Sequence, residues 1–268
     1  MPSFDLHAYL DRIGWRDLVG VDLPTLTGLL RGHMAAIPFE NFDVLLHRPI
    51  RLDIDSLQHK LVGAHRGGYC FEHATLFAAA LEAIGFAPVR HAARVTLMKP
   101  RETAARTHMF VTVPLADGNF VADPGFGALA ARMPMPLVDG AEVVADGNTH
   151  WMQRDADGWT LRALDDGGPV DCWTSTMARE YPVDFDLGNH FTSTGPGSSF
   201  VERMLLRAIT PNGSVSLMNR DVTIREGGAI RRTQLQDRKA LRALVGERFG
   251  FDLPELEALR VPSIPEWK

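Results

Sequence analysis

The 268 residues carry 33 acidic and 28 basic side chains, a net charge of −5, with 45% apolar and 23% charged residues. That balance is ordinary for a globular chain and gives no electrostatic support to nucleic-acid binding, which draws on a basic face. The most apolar stretch, Leu76 to Val89, is broken by Glu82 and Pro88 and too short for a bilayer; the N-terminus has no apolar signal core, and two cysteines cannot build a disulfide framework, so a reducing cytoplasm is expected.

Residues 1 to about 90 read as helical. Ser3 is placed to cap a first helix that stops near Gly14. Asp22 caps a second, whose Leu26, Leu29, Leu30 and Met34 share a face, and Pro38 ends it. A third starts at Asp55 or Ser56. The fourth carries Ala74, Phe77, Ala78, Leu81 and Ile84 on one side and stops at Gly85.

From Val89 the pattern shortens to runs of period two. Val89 to Leu97, His108 to Leu115 and Phe120 to Ala122 read as strands, and Thr149 to Arg154 with Trp159 to Leu164 as a hairpin. Short strands with Gly and Asp turns suggest a small barrel or sandwich. Pro182 to Ser199 reads as a mixed connector. Strands return at Met204 to Ile209, Ser214 to Met218, Val222 to Arg225 and Ala229 to Leu235. Asp237 then caps a last helix through Leu241, Leu244, Val245 and Phe249.

Cys70 sits in Arg66-Gly67-Gly68-Tyr69-Cys70-Phe71-Glu72, where a glycine-rich turn feeds the fourth helix. Unpaired N–H groups and the positive end of the helix dipole act at a first turn. Both favour thiolate, the nucleophilic form. The glycines let the chain turn sharply and leave room for a substrate. A cysteine nucleophile needs a base and an orienter. His108 starts one strand-like run, Asp123 ends the next, and the turn Asp117-Gly118-Asn119 makes them a hairpin. Such a hairpin brings His108 and Asp123 to one end of neighbouring strands, as a nucleophile–base–carboxylate triad requires.

Other polar residues have plainer readings. Cys172, between Asp171 and Trp173, reads as a small core residue. His65, Cys70, His73 and His108 are metal-ligand types, but no second Cys pair completes a zinc pattern, and no metal is expected. His47, His59, His91, His150 and His190 read as surface or core-satisfied. Arg66 and Glu72 are expected to hydrogen-bond each other or nearby backbone, and Glu40 to serve its own segment in the same way.

Pro38-Phe39-Glu40-Asn41-Phe42-Asp43, the Arg66-Gly67-Gly68-x-Cys70-x-Glu72 core, Thr107-His108, Asp123-Pro124-Gly125-Phe126-Gly127, and Asn189-His190-Phe191-Thr192-Ser193-Thr194 with Ser198-Ser199-Phe200 together resemble the arylamine N-acetyltransferase family. The likeness departs at His73-Ala74, where amide-bearing residues are expected in many relatives. It implies an α+β chain of three domains with a cysteine-protease-like Cys-His-Asp core. These are a helical bundle over 1–90, a small β-barrel over 91–190 and an α/β lid over 191–268. It implies acetyl transfer from acetyl-coenzyme A, a co-substrate and not a permanently bound cofactor, through a Cys70 thioester to arylamines, hydrazines or arylhydroxylamines, with His108 as base and Asp123 as its orienter. Phe39, Phe126 and Gly127 become acceptor-pocket candidates, and Thr107 and Phe200 coenzyme contacts. The alternatives are a cysteine hydrolase or transglutaminase using the same three residues, an amide synthase of the same family, and a binding module with an inert Cys70.

Overall fold

The computed structural model describes residues 4–97, 99–127, 129–165, 167–265 and 267. Helix α1 (Leu6–Arg12) is capped by Asp5, whose carboxylate accepts the Ala8 N–H at 2.9 Å; the expected Ser3 cap lies outside the described residues. Asp22 caps α2 (Leu23–Ala36) through the Thr25 N–H at 2.8 Å, and Leu26, Leu29, Leu30 and Met34 are buried as their spacing requires. A two-residue strand β1 (Phe39–Glu40) and a short helix α3 (Phe42–Leu45) follow. Helix α4 (Ile54–Leu57) begins one residue before the expected start because Asp53 supplies the cap, and it runs on into a π-helical turn, Gln58–Gly63. Helix α5 (Cys70–Ile84) ends at Gly85, whose φ of +112° suits glycine.

Eight strands then form an antiparallel sheet: β2 (Val89–Val95), β3 (His108–Leu115), β4 (Gly118–Ala122), β5 (Met135–Pro136), β6 (Glu142–Ala145), β7 (Asn148–Asp155), β8 (Gly158–Asp165) and β9 (Gly168–Ser175). Their order is β5-β4-β3-β2-β9-β8-β7-β6, and β5 approaches β7, so the sheet curls towards closure like a barrel. Both expected hairpins form, each with a two-residue turn, Ala116-Asp117 and Ala156-Asp157.

The expected connector is mostly helix: α6 (Pro182–Thr194) and α7 (Ser199–Glu202). Pro182 opens α6 at a position that needs no N–H, and Asp184 takes the Tyr181 N–H at 2.8 Å. The hydroxyls of Thr192, Ser193 and Thr194 bond back to the carbonyls of Gly188, Asn189 and His190, so the polar run is satisfied inside the helix.

The C-terminal strands β10 (Leu205–Thr210), β11 (Gly213–Met218), β12 (Asp221–Glu226) and β13 (Ala229–Gln234) form a second sheet, packed by α8 (Arg238–Phe249). Its first strand is β1, paired to β10 with Phe39 opposite Arg207 and Glu40 opposite Leu206. Phe42 and Leu45 also join the apolar cluster under this sheet, so the N-terminal region contributes to the C-terminal core. Among the described residues no helix is long and apolar enough to cross a membrane.

Candidate active site

Gly67 and Gly68 run against β1: Gly68 N–H donates to the Pro38 carbonyl at 3.3 Å, and Glu40 N–H to the Gly68 carbonyl at 2.8 Å. A Cβ on Gly67 would stand 2.0 Å from the Pro38 oxygen, so only glycine fits there. Glu72 then caps α5 by accepting the Tyr69 N–H at 3.1 Å, which fixes Cys70 as the first helical residue.

Of the two expected arrangements, Arg66 and Glu72 do not pair with each other, while Glu72 does take nearby backbone, the Tyr69 N–H. Lys60, delivered by the π-helical turn, reaches Glu72 and Asp43, each at 2.7 Å. Arg66 bonds Glu40 at 2.6 Å and Asp43 at 3.2 Å. The chain of charges Glu72–Lys60–Asp43–Arg66–Glu40 thus ties the loop to β1 and α3, and Glu40 plays its expected structural part. Burial alone would raise Asp43, but Lys60 and Arg66 hold its carboxyl down at about 2. Burial raises the Glu72 carboxyl above its ordinary value, opposed by Lys60.

His73, one turn into α5, is fully engaged. Its Nε2 faces the carbonyls of Gly68 (3.1 Å) and Pro38 (3.3 Å), and its Nδ1 faces His33 Nε2 at 2.9 Å. Carbonyls only accept, so Nε2 carries the proton. Neutral His73 Nδ1 then accepts from His33 Nε2–H, and His33 Nδ1 accepts from the Tyr9 hydroxyl at 3.0 Å. Burial pushes His73 down to about 4 and His33 well below its ordinary value. At the departure His73-Ala74, therefore, a neutral imidazole chain supports the glycine loop, and Ala74 is buried in the apolar cluster around Cys70.

His108, at the start of β3, is 2% exposed and donates Nε2–H to Asp123 Oδ2 at 2.8 Å. The same oxygen accepts Trp173 Nε1–H at 2.9 Å, and Oδ1 accepts Gly125 N–H at 3.2 Å. Burial would lower the imidazole; the Asp123 carboxylate and the neighbouring Cys70 outweigh it and push His108 up to about 10. Cys70, 3% exposed, points Sγ at the Thr107 carbonyl, 3.5 Å away. The Pro124-Gly125 turn lies so close to α5 that a Cβ on Gly125 would stand 2.7 Å from Cys70 Cα. Cys70, His108 and Asp123 are thereby brought together. His65 is exposed at the other end of the loop, while Cys70, His73 and His108 are buried.

The aromatic walls follow. Phe126 stands edge-on to His108, ring centres 5.2 Å apart. Phe39 and Phe200 both pack on the cluster that contains Cys70, their rings 6.1 Å apart. A Cβ on Gly127, whose φ is +86°, would touch the Phe39 ring at 3.9 Å. Thr107 contributes its carbonyl to the thiol, its hydroxyl being turned to Ala105. Phe200 shares the wall with Phe39 and Tyr69.

Several contributors carried no local signal. Asn41 anchors the backbone of Phe200, Arg203 and Leu205 through three hydrogen bonds of 2.7–2.8 Å. Asn189 receives the Tyr69 hydroxyl and donates to Ile50. Lys60, His33 and Trp173 act on partners distant in sequence. Asn41 and Asn189 lie in segments that carry the family resemblance and Trp173 adjoins Cys172, but nothing local marked their partners.

The profile of the N-acetyltransferase family matches residues 22–258. The arylamine N-acetyltransferase of Mycolicibacterium smegmatis is 33% identical over 259 residues, covering 95% of this chain and 94% of that protein. The Escherichia coli K12 arylamine N-acetyltransferase is 32% identical, over 93% of this chain and 90% of that protein. The solved Mycobacterium marinum arylamine N-acetyltransferase superposes with a TM-score of 0.90 at 31% identity, over 94% of both chains. The structure of that enzyme in complex with CoA gives 0.89 at 30% identity, again over 94% of both chains.

Proposed function

The chain belongs to the arylamine N-acetyltransferase family of acyltransferases, and on that premise we propose that it moves an acetyl group from acetyl-coenzyme A to an arylamine, hydrazine or arylhydroxylamine through a thioester on Cys70. The observation that carries the reading is the helix-start Cys70 beside a His108 whose Nε2 is held by Asp123 at 2.8 Å. With Nε2 so occupied, Nδ1 is the nitrogen left to exchange a proton at the thiol.

Sγ attacks the acetyl carbonyl to give a tetrahedral oxyanion, whose collapse keeps the new C–S bond to Cys70 and breaks the C–S bond to the coenzyme. The departing sulfur takes the proton from His108. An amine then attacks the thioester carbonyl, His108 takes a proton from its nitrogen, and the Cys70 sulfur leaves. The amide product departs and the starting pair is restored. Backbone N–H groups in the first turn of α5 stabilise the oxyanion of both tetrahedral intermediates. Asp123 holds one imidazole tautomer throughout. Phe39 and Phe200 pack on the cluster that holds the buried Cys70 and Phe126 packs on His108, and exclusion of water protects a thioester that must await a weakly basic amine.

Intact-mass measurement after brief exposure to acetyl-coenzyme A alone should show one added acetyl group, on Cys70, removed by aniline or a hydrazine. Double-reciprocal plots should be parallel. No mass increase, or intersecting plots, would rule out the two-step route; an acetyl group discharged only by water would favour a hydrolase.

A further inference from the structure

A line of hydrogen-bonded side chains joins the first helix to the loop of the nucleophile. Tyr9 in α1, His33 in α2 and His73 in α5 are all buried. The Tyr9 hydroxyl meets His33 Nδ1 at 3.0 Å, His33 Nε2 meets His73 Nδ1 at 2.9 Å, and His73 Nε2 ends on the carbonyls of Gly68 and Pro38. That end lies close to the thiol. Gly68 stands two residues before Cys70. A Cβ on Gly125, in the turn after Asp123, would stand 2.7 Å from Cys70 Cα and 3.1 Å from His73 Cβ. His73 therefore lies against both the loop that carries the sulfur and the turn that follows the carboxylate. At the other end, the chain leaving α1 lies close on α2. A Cβ on Gly32 would stand 3.2 Å from the Ile13 carbonyl, and one on Gly28 would strike the Trp15 ring.

The line has one direction. Carbonyls only accept, so His73 and His33 are both protonated at Nε2, and Tyr9 donates. Reversing one ring alone sets two lone pairs, or two N–H groups, against each other across the 2.9 Å contact. Reversing both turns a lone pair of His73 onto the two carbonyls. Either is costly in a buried site of low dielectric. The hydroxyl of Tyr9 is thereby coupled to the Gly68 carbonyl through two imidazoles, and to the start of α5 that follows it.

We propose that Tyr9 and His33 are positioning residues for Cys70, acting through His73. They hold the Gly68 carbonyl, and with it the first turn of α5, where the sulfur and the N–H groups of the oxyanion site are aimed. The expected loading rates rest on the acetyl-transfer reading above; the alkylation and NMR arms of the test do not.

The test times acetyl loading of Cys70 by acetyl-coenzyme A, and its alkylation by iodoacetamide, at one near-neutral pH. It uses wild type, Tyr9→Phe, His73→Leu, His73→Gln and the double variant Tyr9→Phe/His73→Leu, with thermal melting alongside. His73→Leu takes the donor from two buried carbonyls, and both rates should fall about 10- to 100-fold, the scale of one unsatisfied buried group. Tyr9→Phe should lower both about 3- to 10-fold, read where the chain is fully folded. His73→Gln, which returns an N–H donor to that position, should recover most of the loss. In the double variant Tyr9→Phe should add nothing, because the line is already cut. Additive losses would mean that Tyr9 acts by packing, and wild-type rates in Tyr9→Phe, whatever its melting temperature, would overturn the proposal. Histidine-selective nitrogen NMR needs no turnover. It should find both rings protonated at Nε2 alone, and Tyr9→Phe should shift the His73 resonances; an Nδ1–H tautomer at either ring, or an unmoved His73, is refuting. A wild type that gains no acetyl group fails the acetyl-transfer reading only, and alkylation and NMR still decide. Should His73→Leu fail to fold, Tyr9→Phe decides: slower alkylation with shifted His73 resonances supports the relay, and one without the other refutes it.

Discussion

The two cysteines are both buried, Cys70 at 3% exposure and Cys172 at none, yet their surroundings are opposite in charge. Cys70 begins a helix and faces an imidazole pushed up to about 10. Cys172 sits in the middle of β9, where burial first and then the carboxylates of Asp123, Asp171 and Asp165 push its thiol up to about 12. Asp123 takes part in both environments. It meets Cys70 through an intervening imidazole, and its negative charge helps raise the Cys172 thiol. On the acetyl-transfer reading, burial alone does not decide which sulfur reacts; the sign of the charge turned towards it does.

The largest test breaks the arrangement at the shared residue. Asp123→Asn keeps the shape but removes the charge and frees the imidazole tautomer, so turnover should fall about ten-thousand-fold, as in other triads, with a far smaller loss of thermal stability. Near wild-type turnover would make Asp123 a turn residue and dissolve the contrast. Next in size is labelling selectivity. At pH 7 iodoacetamide should alkylate Cys70 at least about a thousand times faster than Cys172, read by peptide mass spectrometry, because the Cys172 thiolate is suppressed by that order relative to an ordinary thiol. Comparable rates would defeat the electrostatic account.

Trp173→Phe sharpens the comparison further. It removes the Nε1–H bond to Asp123 while a ring can still stack on Phe110, now 4.2 Å from the indole. One hydrogen bond to a charged group is worth about 1.5–3 kcal/mol, so turnover should drop roughly 10- to 100-fold if the bond acts on the imidazole, and stay unchanged if it serves only packing.

A pH titration separates the supports of the two sulfurs. His33 and His73 are held below the ordinary imidazole value of 6.5, His73 at about 4, so between those values the folded chain holds fewer protons than the unfolded one. For His73 that contribution is complete above pH 6.5 and is lost as the pH falls towards 4, by up to about 1.4 kcal/mol per pH unit, and His33 acts in the same direction. Hydrogen exchange, corrected for intrinsic rates, should show the first turns of α5 losing protection between pH 6.5 and 4.5 before β9 does. Simultaneous loss would mean that the imidazole chain has no local role.

Local chemistry made much of this legible. The Asp22 and Asp237 caps, the Gly85 stop and the strands of the C-terminal sheet follow from neighbours a few residues away. The placement of Cys70 at a helix start, and of His108 and Asp123 on one hairpin, was readable because both are short-range objects. What escaped depends on distant partners. Helix α6 hid because its hydroxyls look like loop residues until they bond back to its own carbonyls. The route from Glu72 to Glu40 passes through Lys60, which no spacing rule links to either. The exposure of Arg207 to like charges emerges only once β10 lies beside β1.

The pairing of β1 with β10 also orders events in time. Phe39 is made early and its partner Arg207 late, long after Cys70, His108 and Asp123 have emerged. Domains form roughly as they are synthesised, and contacts between distant residues close last. A nascent chain ending before Leu205 therefore holds the thiol and both its helpers while the strand that fixes the Phe39 wall has yet to arrive. A message truncated after β9 would yield a sulfur with its proton acceptor in place and one side of its shelter unfastened.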